Sequence, residues 1–102
     1  MKLVRDFIPH IITQGGKTCE WHRIKNRDEH MLHLKDKILE ETEEFIEDPC
    51  LEEAADMIEV IKTFIQLSGL SFRDVLEKAE EKACSRGGFL GGVILDSVNE
   101  SR

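Results

Sequence analysis

Tyrosine is absent from the sequence, and phenylalanine and tryptophan together make up only 6% of its residues. So small an aromatic fraction argues against a surface on which the bases of a nucleic acid stack. Basic residues are also in the minority, because 14 lysines and arginines face 21 aspartates and glutamates, for a formal net charge of −7. A protein with this charge is not expected to bind nucleic acid or anionic membranes nonspecifically.

Long apolar runs are missing as well. No stretch approaches the roughly 18 residues of a membrane-spanning helix, and residues 1–6 are too polar for a secretory signal. The three cysteines, Cys19, Cys50 and Cys84, are widely spaced and odd in number, so a disulfide framework is not expected. These features favour a cytoplasmic protein with no membrane partner.

Hydrophobic residues make up 40% of the chain and charged residues 34%, which is enough apolar material for a core. The length of 102 residues suits one domain, which we expect to span residues 1–102. Residues 4–12 are mostly apolar and end before Gly15 and Gly16, so they form either a short helix or an extended arm. We interpret residues 17–26 as a loop.

Three amphipathic helices are predicted next, over about residues 28–47, 50–67 and 72–85. We expect Asp28 to cap the first of them and Ser71 to cap the third. The helices end at three breakers: Pro49, Gly69 and Gly87. We therefore predict an all-α fold, a helical hairpin plus a third helix. Helices of this size leave apolar surface uncovered, which predicts a homo-oligomer.

The first predicted long helix carries a carboxylate on its apolar face. Leu34, Ile38 and Phe45 recur at the spacing of one helix face, and Glu41 fills the position between the last two. Glu44 lies about one turn further on, at the edge of the same stripe. A helix that packs into a core would normally carry an apolar residue at the position of Glu41.

The second long helix repeats this pattern. Met57, Val60 and Phe64 form its apolar stripe, Glu53 lies in the middle of the stripe, and Asp56 lies at its edge. Because a short connection makes the two helices antiparallel neighbours, both pairs of carboxylates should lie at a similar height and face the same space.

Four carboxylates in a partly buried site repel one another, and a divalent cation is the compensation that keeps all of them ionised. A donor set made only of carboxylate oxygens suits Mg²⁺, Mn²⁺ or Ca²⁺ rather than zinc. The four candidate ligands are Glu41, Glu44, Glu53 and Asp56. Alternatively, these glutamates pair with lysines such as Lys37, and the acidic positions form a polar seam that sets the register of a helical interaction module.

A zinc site is the other alternative for the metal. The spacings Cys19-x-x-His22 and His30-x-x-His33 permit one, but solvated histidines near the start of a helix explain them better.

Residues 40–44 follow the pattern E-E-x-x-E and residues 52–56 follow E-E-x-x-D. The chain also contains K-L-V-R-D-x-I-P at residues 2–9 and R-G-G-F at residues 86–89. In this order the motifs resemble the all-α nucleoside triphosphate pyrophosphatases, the MazG-like and phosphoribosyl-ATP pyrophosphohydrolase-like group. The landmarks span about residues 2–92, nearly the whole chain.

The resemblance implies Mg²⁺-dependent hydrolysis of a nucleoside triphosphate between its α and β phosphates, which gives a nucleoside monophosphate and pyrophosphate. It implies a homodimer or homotetramer in which helices of two subunits complete a four-helix-bundle-like core. It also implies a house-cleaning role against non-standard nucleotides, and it places the metal ligands at Glu41, Glu44, Glu53 and Asp56. A non-catalytic oligomerisation or nucleotide-binding module remains the alternative.

Two further roles are needed for such a reaction. A carboxylate that the metal does not fully use can accept a proton from the attacking water, and Glu40 and Glu41 are the candidates. Cations must balance the phosphate chain. The candidates are four: Arg5, Lys37, Lys82 and Arg86. Lys37 could instead pair with Glu41 or Glu44, and Lys82 could be an ordinary surface lysine.

Overall fold

The structure, a computed structural model, describes residues 2–100. It contains four helices, and no strand occurs among the described residues. Their bounds are α1, Ile8–Gln14; α2, Arg27–Glu47; α3, Leu51–Leu67; and α4, Phe72–Arg86. The predicted all-α fold is therefore confirmed, whereas completion of its core by oligomerisation stays a prediction.

The chain divides into two compact units, one that ends at Ser71 and one that begins at Phe72. The first unit holds α1, the loop after it and the α2–α3 hairpin. The second holds α4 and the segment that follows it, and α4 begins at the predicted residue. The expectation of one domain over residues 1–102 stays a prediction.

The start of α2 differs from the prediction. Asn26, not Asp28, is the N-cap, since its backbone is extended and its side chain accepts a hydrogen bond from the Glu29 N–H at 3.1 Å. Asp28 instead lies in the first turn of the helix, where its negative charge interacts favourably with the helix dipole. The cap therefore lies two residues before the predicted one and the helix begins one residue before the predicted range, because asparagine supplies the capping oxygen that was assigned to aspartate.

The end of α3 has the predicted glycine. Gly69 has a φ of +85°, a left-handed conformation that costs glycine little because it has no Cβ. The Gly69 N–H donates to the Gln66 carbonyl at 3.1 Å, and the Leu70 N–H donates to the Ile65 carbonyl at 3.2 Å. This pair of bonds is a Schellman motif, which satisfies carbonyl groups left over at the end of the helix.

The N-terminal segment is helical over Ile8–Gln14, so the short helix is the correct one of its two predicted alternatives. Pro9 lies in its first turn, where a missing N–H costs nothing. Residues 17–26 have no regular secondary structure, as predicted for a loop.

The hairpin of α2 and α3 supplies the core of the first unit. Leu34 on α2 is the most deeply buried apolar side chain among the described residues, at 2% exposure. The remaining inward positions are half-buried, and Phe45, Met57 and Phe64 are examples. The core is thus thin, and most of its members keep contact with solvent.

A second apolar row on α2 faces away from Leu34. Leu32, Leu39 and Ile46 recur every seven residues and are 60%, 62% and 71% exposed. On α3, Leu51 is exposed as well. These residues are the uncovered surface that an oligomer would bury. Within residues 2–100 no helix combines the length and the apolar composition that crossing a bilayer requires.

We predict that Leu34→Ala lowers the free energy of unfolding by about 2–5 kcal/mol, because the change removes buried methyl groups and leaves a cavity. The matched control is Leu39→Ala on the same helix, which should cost less than about 1 kcal/mol since that side chain is exposed. Urea denaturation of both variants at one protein concentration measures the difference. Equal losses would show that Leu34 does not belong to the core.

Candidate metal site

Three carboxylates meet where α3 folds back on α2. Glu41 comes from the C-terminal half of α2, and Glu53 and Asp56 come from the first two turns of α3. One carboxylate oxygen from each of them lies within 4.8 Å of the others. The short turn after Asp48 sets this register, since it returns the chain to a new helix at Leu51.

Burial makes this group unusual among acidic clusters. Glu41 is only 7% exposed, and its Oε2 atom and the Oε2 atom of Glu53 are buried without a hydrogen-bond partner. A buried polar atom with no partner costs free energy, and an ionised one costs more. Both oxygens belong to the three-carboxylate group, so a ligand with positive charge there would satisfy them.

Glu44 is exposed, and the three-carboxylate group found among residues 2–100 does not include it. Glu44 nevertheless interacts electrostatically with this group. The negative charge of Glu41 is the main reason that the pKa of Glu44 is raised, and desolvation and a hydrogen bond to Glu41 act in the same direction. The charges of Glu53 and Glu40 raise the pKa of Glu44 further. Glu44 thus belongs to the same electrostatic cluster.

Two cationic side chains partly neutralise the negative charge of the cluster. Lys37 Nζ lies 3.2 Å from Glu41 Oε1 and 3.6 Å from Glu40 Oε2, and the lysine side chain is only 15% exposed. Arg5 Nη2 donates to Asp56 Oδ1 at 2.7 Å, across 51 positions of the chain.

Two cations for four candidate ligands leave an excess of negative charge when all four are ionised. A divalent ion is the ligand that would remove this excess. Because the donor atoms are carboxylate oxygens alone, they suit Mg²⁺, Mn²⁺ or Ca²⁺, and Mg²⁺ commonly retains waters in the positions that protein ligands leave open.

The remaining predicted site residues lie outside this group. Glu40 is exposed and adjoins Lys37. Lys82 and Arg86 lie on α4, in the second unit, and both are exposed. Their roles in binding the substrate stay predictions.

A cavity of about 730 Å³ is the feature that the sequence reasoning missed. The N-terminal segment, the loop at residues 19–24 and the start of α2 line it, and it is partly open to solvent. Cys19, His22, His30 and His33 all line it, yet the group of metal ligands found among residues 2–100 contains carboxylates only. The one local signal for a binding surface was Trp21, the single tryptophan, within a segment interpreted as a loop.

Comparison with protein families, with curated proteins and with solved structures finds no match for this chain. The resemblance to the all-α pyrophosphatases therefore rests on the sequence motifs, and the function has to be argued from the site itself.

We predict that Glu44→Gln raises the Tm of the metal-free protein at neutral pH. The folded state holds the Glu44 proton more tightly than the unfolded state, so repulsion at this residue lowers stability as pH rises through its raised pKa. The advantage of the variant should therefore shrink as pH falls and Glu44 becomes protonated in the wild type. Melting curves in EDTA from neutral to acidic pH measure this difference.

The control for this experiment is Glu43→Gln, which removes a neighbouring exposed charge from the opposite side of α2. Its Tm relative to the wild type should change much less with pH. If both variants behave alike, the effect of Glu44 is one of net charge and does not come from the cluster.

Proposed function

We propose that the protein is a Mg²⁺-dependent nucleoside triphosphate pyrophosphohydrolase of the all-α, MazG-like group. It would cleave its substrate between the α and β phosphates and release a nucleoside monophosphate and pyrophosphate. The observation that supports this proposal most is the convergence of Glu41, Glu53 and Asp56 within 4.8 Å, with two buried oxygens that lack a partner.

The residues present fit the ion that this function requires. Glu41, Glu53 and Asp56 would hold it, and Glu44 would complete the negative field at the edge of the site. A bound Mg²⁺ supplies neutralisation of the phosphate charge and polarises the phosphate oxygens. The chain itself would supply the orientation of the substrate and the transfer of a proton.

Glu40 is the better of the two candidate proton acceptors. Both glutamates lie close to Lys37, at 3.2 Å for Glu41 and 3.6 Å for Glu40, but Glu41 is buried. Glu40 lies next to it on α2 with an exposed carboxylate, so a water molecule can reach it. A carboxylate oxygen of Glu40 would accept the proton of the water that attacks phosphorus, because it is not committed to the buried group.

Arg5 and Lys37 would bind the phosphate chain. A phosphate oxygen could replace Asp56 as the acceptor of Arg5, whereas the Lys37 ammonium would keep its pair with Glu41 and donate to phosphate with a remaining N–H. The active unit would be a homodimer or homotetramer that covers the exposed row of Leu32, Leu39 and Ile46. Removal of non-standard nucleotides is the cellular role that we propose.

A second candidate function is a non-catalytic oligomerisation or nucleotide-binding module with a polar acidic seam. The ion pair between Lys37 and Glu41 favours it, because that pair partly neutralises the seam without any metal.

We expect Mg²⁺ or Mn²⁺ at about one hundred times its Kd to stabilise the fold by about 2.7 kcal/mol. For a chain of this size the shift in Tm is on the order of 10 °C. Differential scanning calorimetry with Mg²⁺, and with KCl at matched ionic strength, separates ligation from screening of charge. Equal shifts with the two salts would contradict the metal site and favour the second candidate.

We expect Glu53→Gln to reduce turnover by more than about 100-fold, since the neutral amide is a poor ligand for a hard cation. The same variant should keep or raise the metal-free Tm, because it removes a repelled charge. Glu52→Gln, one position earlier on α3 and exposed, is the matched control and should keep full activity. Release of pyrophosphate from a panel of standard and modified nucleoside triphosphates measures turnover. Wild-type activity in Glu53→Gln contradicts the ligand assignment.

A further inference from the structure

The cavity at the N-terminal segment adjoins the carboxylate cluster but is distinct from it. Glu41, Glu53 and Asp56 do not line it, so the proposed metal chemistry leaves it unused. Its volume of about 730 Å³ lies within the range of cavities that hold small organic ligands. A pocket of this size is large enough for a nucleoside.

The walls of the cavity combine apolar surface with many polar and charged side chains. Ile8, Pro9 and Ile12 contribute apolar surface, and His30 and His33 add ring nitrogens that can donate or accept hydrogen bonds. This combination suits a flat ring that carries polar atoms on its edge, as a nucleobase does.

Trp21 offers the stacking surface for such a ring. It lines the cavity and is 56% exposed, which is a large exposed area for an indole. The Arg23 guanidinium lies 5.0 Å from the centroid of its ring, which is a cation–π contact. A base that stacks on an aromatic side chain gains roughly 1–3 kcal/mol.

Arg5 connects the cavity to the carboxylate cluster. It lines the cavity, and its guanidinium bonds to Asp56 at 2.7 Å. This ion pair is exposed, with side-chain exposures of 55% and 44%, so it contributes little stability and exchanges readily. Trp21 and Arg5 thus line one cavity, and Arg5 also contacts a carboxylate of the proposed metal site.

We propose that this cavity binds the nucleoside part of the substrate, with the base stacked on Trp21. Arg5 then exchanges the Asp56 carboxylate for a phosphate oxygen of the same nucleotide. This inference rests on the proposed function for the triphosphate, but the binding of the base can be measured without hydrolysis.

Trp21 makes the first test direct. It is the single tryptophan and tyrosine is absent, so the indole fluorescence of the full chain comes from the cavity. We expect purine and pyrimidine nucleoside monophosphates, titrated in EDTA, to quench this fluorescence saturably. Pyrophosphate, which has no base, should not. If no monophosphate of the panel quenches it, the proposal fails even where the protein hydrolyses triphosphates.

Substitutions test the two contacts separately, with calorimetric titration as the readout. Trp21→Ala should weaken monophosphate binding by about 10-fold or more, and Trp21→Phe should restore most of it. Both variants should keep the Mg²⁺-dependent rise in Tm, because neither touches the carboxylates. In steady-state kinetics Trp21→Ala should raise KM and leave kcat nearly unchanged.

Arg5→Gln should weaken monophosphate binding while Mg²⁺ binds at least as tightly as in the wild type, because the competitor for Asp56 is gone. Lys25→Gln, an exposed loop residue outside the cavity lining, is the control and should change neither. If Arg5→Gln weakens Mg²⁺ binding instead, Arg5 supports the metal site and the proposed exchange is wrong. Saturable quenching without any hydrolysis would keep the nucleoside site and overturn the pyrophosphohydrolase.

Discussion

A carboxylate occupies a position where a core helix would normally carry leucine, and the first unit is arranged around this side chain. Glu41 lies two turns after Leu34 on the same face of α2, and these are the two most buried positions among residues 2–100. Removing a charged group from water is costly unless it is paired. Lys37, one turn earlier on the helix, pairs with one of its oxygens, and the other oxygen has no partner. The hairpin therefore contains a buried carboxylate oxygen that a positively charged ligand would stabilise.

The two ion pairs of the cluster differ in how firmly they are held. Lys37 is largely buried beside a buried partner, so breaking that pair would strand a charge inside the protein. Arg5 contacts Asp56 from a distant part of the chain, and both side chains are exposed to solvent. Such an exposed pair contributes about 0–1 kcal/mol. Arg5 can therefore exchange its carboxylate for a ligand at a lower cost than Lys37 can.

Local rules were enough to predict the hairpin and its acidic face. Helical periodicity placed Glu41 and Glu53 on inward faces, and Pro49 and Gly69 separated the helices correctly. The cap of α2 was misassigned because Asn26 and Asp28 are both good capping residues, and the backbone conformation decides between them. Periodicity alone cannot reveal how residues with no regular structure fold against a helix. The cavity around Trp21 depends on such nonlocal packing and was therefore missed.

The contact between Arg5 and Asp56 could not be predicted from the sequence either. The sequence marked Arg5 as a possible phosphate ligand through a family resemblance, whereas the structure pairs it with Asp56. No local pattern links positions 51 residues apart. Charges on α4 stay unassigned for a related reason, since that helix belongs to the second compact unit.

The carboxylate group also has a consequence for how the chain reaches its folded state. All three of its members lie within residues 41–56, so a loop of about a dozen residues closes the site. Closing so short a loop costs little chain entropy and takes place on a submicrosecond timescale. The mutual repulsion of the acids therefore opposes closure of this short loop. Under the proposed function, a divalent ion bound to the three carboxylates would offset this repulsion and stabilise the closed hairpin.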